Sequence, residues 1–255
     1  MPIWRNGRPL KRWHYLGAYS SELMLCAGEA RIGPLRQRFW AAATPDGRIR
    51  ERTAVLGGGG LRLNGSRLAI DGPGLRARVQ VGDGVGVVTV SRHGDSYIWT
   101  RKQAGVAVEG LVEIDGRPLQ LDCRGVVDDS AGYHARHTAW AWSAGVGHGA
   151  DDRPIAWNLV SGVHDDPRAS ERSIWCDGEP REVGPVDFAS DLSSIAFSDG
   201  GELRFSAWGS REDSTNMLLL RSSYRQPFGT FSGELPGGLR LERGYGVMES
   251  HDVWW

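Results

Sequence analysis

Turn signals recur along this chain at intervals too short for helices of ordinary length. Asn64-Gly65, Asp115-Gly116, Asp177-Gly178, Asp199-Gly200 and Pro45-Asp46-Gly47 each sit between runs that alternate apolar and polar residues. Such pairs favour the left-handed backbone of tight hairpins, and alternation at period two is the mark of a strand with one buried face. The 36 glycines of the 255 residues supply much of this punctuation. The chain therefore reads as all-β and antiparallel, with few short helices.

Runs at 13–19, 22–32, 36–43, 61–63, 67–70, 75–81, 84–91, 98–102, 107–114 and 119–127 give the first half about eight to ten strands, the range of a small closed barrel. Runs at 154–162, 172–176, 182–188, 194–197, 202–208, 216–223, 228–232, 239–244 and 247–254 give the second half a similar set. Two tandem barrels are expected, residues 1–130 and 131–255, with the boundary in the stretch Asp128–Gly145. Gly57–Gly60 lacks the lysine and strand-to-helix context of a phosphate cradle and reads as a mobile loop.

Composition narrows the function. A formal net charge of −1 offers no field for nucleic acid or anionic membranes. No window reaches the roughly 18 apolar residues of a membrane span, and the N-terminus lacks a signal-peptide core, so a cytoplasmic location is expected. Cys26, Cys123 and Cys176 are odd in number and widely spaced, which argues against a disulfide framework or a zinc site and for a reducing compartment. No nucleophile elbow, dinucleotide fingerprint or P-loop is present, and no cofactor is expected.

The densest chemistry lies in Asp128–Gly145. Residues 134–142 read as a strand entered by a turn, which places His134, Arg136, Thr138, Trp140 and Trp142 on one face. A helix capped by Ser130 is the rival, bringing His134 and His137 together. Asp129 and His134 are close enough in sequence to pair across the turn as an acid–base couple. Asp128 reads as a turn cap, a role open to Asp129 as well. His134 and His137 lack a carboxylate at metal-site spacing, so no metal is expected.

Glu249 and His251 share one face of the last strand, and Asn158 and His164 one face of 154–164, each pair able to point into a barrel. Glu249 could equally be a buried ion pair with Arg172 or Arg136. Trp40, Trp140, Trp142 and Trp157 could fill a core or line an apolar ligand cavity. Acid–base candidates are thus Asp129, His134 and Glu249. Ligand-contact candidates are Trp40, Tyr133, Arg136, His137, Trp140, Trp142, Trp157, Asn158, His164 and His251.

Several segments resemble the bacterial family DUF2804: Lys11–Tyr15, Gly132–Ser143, Trp157–Gly162, Ser170–Arg172, Phe228–Gly233 and Gly246–Trp254. Gly125–Gly132, followed by Trp140-Ala141-Trp142, is similar to the centre of the carotenoid 1,2-hydratase and AttH-like proteins. An aspartate-histidine-x-tryptophan-glycine type motif of the hydratases is replaced here by Asp128–Gly132. The resemblance implies two tandem lipocalin-like, calycin-like barrels. It also implies either hydration, isomerisation or cyclisation of a polyene, terpenoid or polyketide-like molecule, or carriage of a hydrophobic ligand without chemistry.

Overall fold

The structure, a computed structural model, describes all residues except 56, 94, 218, 219 and 255, and the side chains at 93, 215, 217 and 220 are set aside with them. In chain order the strands are β1 (Trp4–Arg5), β2 (Arg8–Pro9), β3 (Lys11–Tyr19), β4 (Met24–Ile32), β5 (Leu35–Ala43), β6 (Ile49–Val55), β7 (Leu61–Asn64), β8 (Arg67–Gly72), β9 (Leu75–Val81), β10 (Gly86–His93) and β11 (Ser96–Ile114). They continue as β12 (Arg117–Gly132), β13 (His137–Gly149), β14 (Pro154–Ser161), β15 (Ser173–Cys176), β16 (Glu179–Glu182), β17 (Val186–Phe188), β18 (Ser194–Phe197), β19 (Glu202–Met217), β20 (Leu220–Leu235) and β21 (Leu239–Trp254). No helix occurs among the described residues, so the expected short helices are absent. The turn chemistry accounts for this: Asp115-Gly116 and Asp177-Gly178 both take positive φ at two successive residues, closing hairpins of minimum length.

The first sheet has ten strands in the order β6-β5-β4-β3-β12-β11-β9-β8-β7, with β10 also pairing β11, and the second has nine in the order β16-β15-β14-β13-β21-β20-β19-β18-β17. Every pairing is antiparallel. Each sheet curls into a half-barrel around its own apolar core, as in lipocalin-like folds. Leu16, Leu25, Trp40, Ile70 and Val108 fill the first, and Trp157, Ile174, Leu203, Phe231 and Met248 the second. Trp40 spans the first interior from β5 to Gly72 on β8 and donates to the Gly59 carbonyl at 3.0 Å. The glycine run is thus tied to the core at Gly59.

A third core lies between the two half-barrels. Tyr15, Tyr19, Met24, Cys26, Ala41, Ala43, Ala104 and Val126 of the first half meet Trp142, Ala144, Val146, Ala156, Val160, Trp175, Phe228 and Val247 of the second. Strands at this seam are buried on both faces, so their side chains read as unbroken apolar runs such as Met24–Ala27 and Trp40–Ala43.

Candidate active site

β12 decides which groups reach the seam. It continues as a strand through Gly132, pairing with β11 from Arg117 and with β3 from Arg124, and only residues 133–136 separate it from β13. Asp128 and Asp129 are therefore neither turn caps nor the start of a helix. They are successive strand residues that face opposite ways. Val126 faces the seam, so Asp128 does too. Val127, which packs on the first barrel core, shares its face with Asp129.

On β3, Tyr15 and Tyr19 face the seam with Gly17 between them. A Cβ at Gly17 would overlap the Tyr19 hydroxyl, so the glycine lets Tyr19 fold back to meet the Tyr15 hydroxyl at 3.0 Å. Phe39 lies over Gly28 in the same manner. Opposite stand Trp140 and Trp142 on β13, Tyr224 and Gln226 on β20, and Glu249 and His251 on β21. The register pairs Trp142 with Glu249 and Trp140 with His251, and Tyr224 with His251. Tyr15 meets Trp142 edge-on at 5.4 Å across the seam.

Glu249 is the centre of this wall. Its Oε1 accepts Trp140 Nε1 at 2.9 Å, and its Oε2 accepts Gln226 Nε2 at 3.0 Å and the Tyr224 hydroxyl at 3.2 Å. Gln226 in turn accepts the Cys26 thiol of the first half at 3.7 Å. Burial pushes the Glu249 carboxyl above its ordinary value, and the negative charge of Asp128 adds to this. The Trp140 and Tyr224 donors pull the other way without reversing it. Arg211, which also favours the anion, is ion-paired to Glu51 at 2.9 Å and lies over the Phe39 and Tyr224 rings. Trp13, Phe39, Trp140, Tyr224, Glu249 and His251 are all only partly buried, so this end of the seam is an aromatic rim reachable from outside. His251 packs against Trp140 at 4.4 Å and contacts Ser222 Oγ through Nε2 at 2.9 Å. Burial lowers its pKa to about 4, so it is neutral near pH 7.

Beside the tyrosines lies a buried charge group. Lys102 Nζ contacts Asp128 Oδ2 at 2.6 Å and Glu171 Oε1 at 3.2 Å. Asn158 accepts Trp142 Nε1 at 2.8 Å and donates to the Glu171 carbonyl at 3.0 Å. Asp128 Oδ1, Glu171 Oε2, Thr100 Oγ1 and Ser173 Oγ are buried and make no hydrogen bond among the described residues. Burial raises the Asp128 pKa, while the Lys102 ammonium opposes the rise; the two carboxylates together hold Lys102 above its ordinary value.

The structure separates the residues singled out from sequence. Glu249, His251, Trp140, Trp142 and Asn158 come together at the seam, not inside a barrel. Asp129 turns to the other face and contacts His14 Nδ1 at 2.6 Å, so it does not pair with His134. His134 lies in the 133–136 connection, buried edge-on to Trp13 at 5.0 Å, and shares no strand face with Trp140. Arg136 is exposed in the same connection. Tyr133 is anchored by its hydroxyl to the Pro2 carbonyl at 2.7 Å, and His137 stacks on Trp254 at 4.3 Å beside Asp252. His164 lies beyond the end of β14, with its Nδ1 2.9 Å from Ser91 Oγ. Trp40 and Trp157 fill the barrel interiors, Trp157 donating to Ser143 Oγ at 3.0 Å. Glu249 forms no pair with Arg172 or Arg136: Arg172 donates to the Asp166 and Val183 carbonyls. Lys102, Tyr15, Tyr224 and Gln226 are seam groups that sequence reasoning missed, and Asp128 is one that it set aside.

The backbone is similar to the crystal structure of an AttH-type protein from Nitrosomonas europaea (TM-score 0.65, 12% identity, covering 97% of this chain and 93% of that one). It is also similar to kievitone hydratase from Nectria haematococca (TM-score 0.62, 13% identity, 93% and 88% covered). At these identities the likeness concerns the fold. No curated protein matches by sequence. The profile of the DUF2804 domain of unknown function matches residues 61–255, which leaves the Lys11–Tyr15 segment outside the matched span. With the greater part of its length matched, the chain belongs to the DUF2804 family.

Proposed function

We propose that the protein is an acid–base enzyme that hydrates, isomerises or cyclises a hydrophobic small molecule, with Glu249 as proton donor and the two half-barrels, 1–130 and 131–255, as the jaws of the site. The observation that carries this reading is the Glu249 carboxyl itself. It is raised in pKa, held by three uncharged donors and set beside the partly buried rings of Trp140, Tyr224 and Phe39, with the buried Trp142 next to it in register. A carboxyl whose pKa is raised keeps its proton to higher pH than a free one and can deliver it to an alkene or enol carbon, and aromatic faces stabilise the cation that develops. The fold shared with kievitone hydratase is compatible with such chemistry. The reading takes a polyene, terpenoid or polyketide-like molecule as the substrate class.

A carrier reading has its own support. A cleft of about 690 Å³ opens at the other end of the seam, lined in part by Tyr19, Val85, Ala104, Val106, Val146 and Tyr245. Val146 is four residues from Trp142, about 13 Å along the strand, so this cleft is separate from the Glu249 rim. One experiment divides the two. Wild type and E249Q are purified from the source cells, and their bound ligands are extracted and compared by native mass spectrometry and chromatography. Glu249 chemistry predicts substrate in E249Q and an altered molecule, heavier by one water or shifted in retention, in wild type. The same unaltered ligand in both identifies a carrier and refutes the enzyme.

A further inference from the structure

Delivery of a proton by Glu249 leaves the other half of the reaction to a proton acceptor. We infer that Asp128 is that acceptor, working across the seam from Glu249; the inference rests on the acid role proposed for Glu249.

Placement comes first. Asp128 is the register partner of Tyr15, and Glu249 is the register partner of Trp142. Tyr15 and Trp142 are the two rings that meet at 5.4 Å. The carboxylates therefore approach from opposite sheets, one on each flank of a single aromatic pair. Asp128 is also close enough to Glu249 for its charge to be felt there.

Burial raises both carboxyls, and their partners set them apart. Glu249 has both oxygens occupied by uncharged donors. Asp128 has Oδ2 on the Lys102 ammonium, which opposes the rise in pKa that burial imposes, and leaves Oδ1 buried without a hydrogen-bond partner. The charged groups facing Asp128 are Lys102 and Glu171, with Asp129 behind it on the same strand and Glu249 across the seam. Glu171 also has an oxygen without a partner, but its side chain is 2% exposed against 19% for Asp128. Asn158 fixes both the Glu171 backbone and Trp142, so the lysine is held between its two carboxylates over the Trp142 ring at 6.0 Å.

In hydration the Glu249 O–H bond breaks as a C–H bond forms at one alkene carbon. A water lone pair forms the C–O bond at the other carbon, and the O–H bond of that water breaks with its proton passing to Asp128 Oδ1. One water has been added; the proton returns from Asp128 to Glu249 through solvent at the rim. In isomerisation Asp128 takes a proton from carbon while Glu249 delivers one further along the same conjugated system.

The test compares wild type, E249Q, D128N, D128E and D129N in two readouts. Infrared difference spectra followed over a pH series are expected to show that the protonated-carboxyl band removed by E249Q persists to higher pH than the one removed by D128N. A D128N band that persists to the higher pH overturns the assignment. The proteins are then incubated with the apolar extract of the source cells in H2(18)O and D2O, and label incorporation is followed by mass spectrometry. D128N and E249Q are each expected to lose at least about 100-fold, D128E to recover part, and D129N to match wild type. Incorporation kept in D128N but lost in E249Q overturns Asp128 and leaves Glu249 standing. No incorporation by wild type overturns the enzyme reading and Asp128's role within it, whatever the infrared bands show.

Discussion

Replacing Lys102 by Met tests the charge arrangement at the seam directly. One ammonium serves two carboxylates, Asp128 at 2.6 Å and Glu171 at 3.2 Å, with the Glu171 side chain almost wholly enclosed. Lys102→Met keeps the apolar stem and removes the charge, leaving both carboxylates buried and uncompensated. Breaking a buried pair in this way costs about 3–5 kcal/mol, which for a chain of this size corresponds to a fall in Tm of roughly 6–20 °C. The sign of the pH dependence follows from Asp128. Its folded pKa is raised above the unfolded value, so the folded state binds more protons and stability declines as pH rises through that window. Without the lysine the rise is larger, so the deficit of K102M is greatest at high pH and shrinks as pH falls and Asp128 protonates. Urea unfolding followed by tryptophan fluorescence at pH 7 and pH 5 measures this. K102M/D128N, which retains one carboxylate where K102M has two, should recover part of the loss. A K102M deficit under about 1 kcal/mol, or one that does not change with pH, would refute the reasoning.

Other outcomes follow from the same geometry. Gly17→Ala drives a methyl into the Tyr19 hydroxyl and should cost about 1–3 kcal/mol of overpacking, read by denaturation, with Tyr19→Phe/Gly17→Ala recovering part. Trp157→Ala empties the second barrel and should cost about 3–5 kcal/mol, whereas Trp140→Ala at the open rim should lose ligand affinity with a smaller effect on Tm. His14 has its pKa raised by the hydrogen bond to Asp129, so its contribution is present below the unfolded histidine value and lost as pH rises through the folded one. Both partners are about a third exposed, so solvent screening keeps the pair small; histidine NMR titration of wild type and D129N checks the direction.

The half-barrels were legible because hairpin chemistry is local. Asp115-Gly116 and Asp177-Gly178 dictate a two-residue turn whatever lies far away, and the strand runs beside them follow. The seam was a different problem. Where two half-barrels pack back to back, the strands between them bury both faces and the period-two pattern disappears. Met24–Ala27, Trp40–Ala43 and Ile155–Val160 are almost wholly buried, and such unbroken runs are the trace of double burial that marks β4, β5 and β14 as seam strands. Read alone, they say that two faces are covered but not which one meets the partner sheet.

That ambiguity explains why Asp129 was favoured over Asp128. Adjacent strand residues point to opposite faces, so one shift in parity moves chemistry from the seam to the barrel side. A turn capped by Asp128 ahead of a strand at 134–142 leaves no strand whose parity would decide it. The anchor was Val126-Val127-Asp128-Asp129 on a strand that runs to Gly132: with Val126 at the seam, Asp128 follows and Asp129 cannot. A second trace was available in composition. Arginine supplies nearly all the positive charge, and the chain keeps only two lysines, Lys11 and Lys102; both are buried. At Lys102 the reason for the exception is visible. A guanidinium is a broad planar fork, whereas a compact ammonium on a flexible stem reaches two carboxylates from opposite half-barrels at once. Lys102→Arg therefore tests more than charge: if the site needs the compact donor, K102R should remain folded yet lose the label incorporation that D129N keeps.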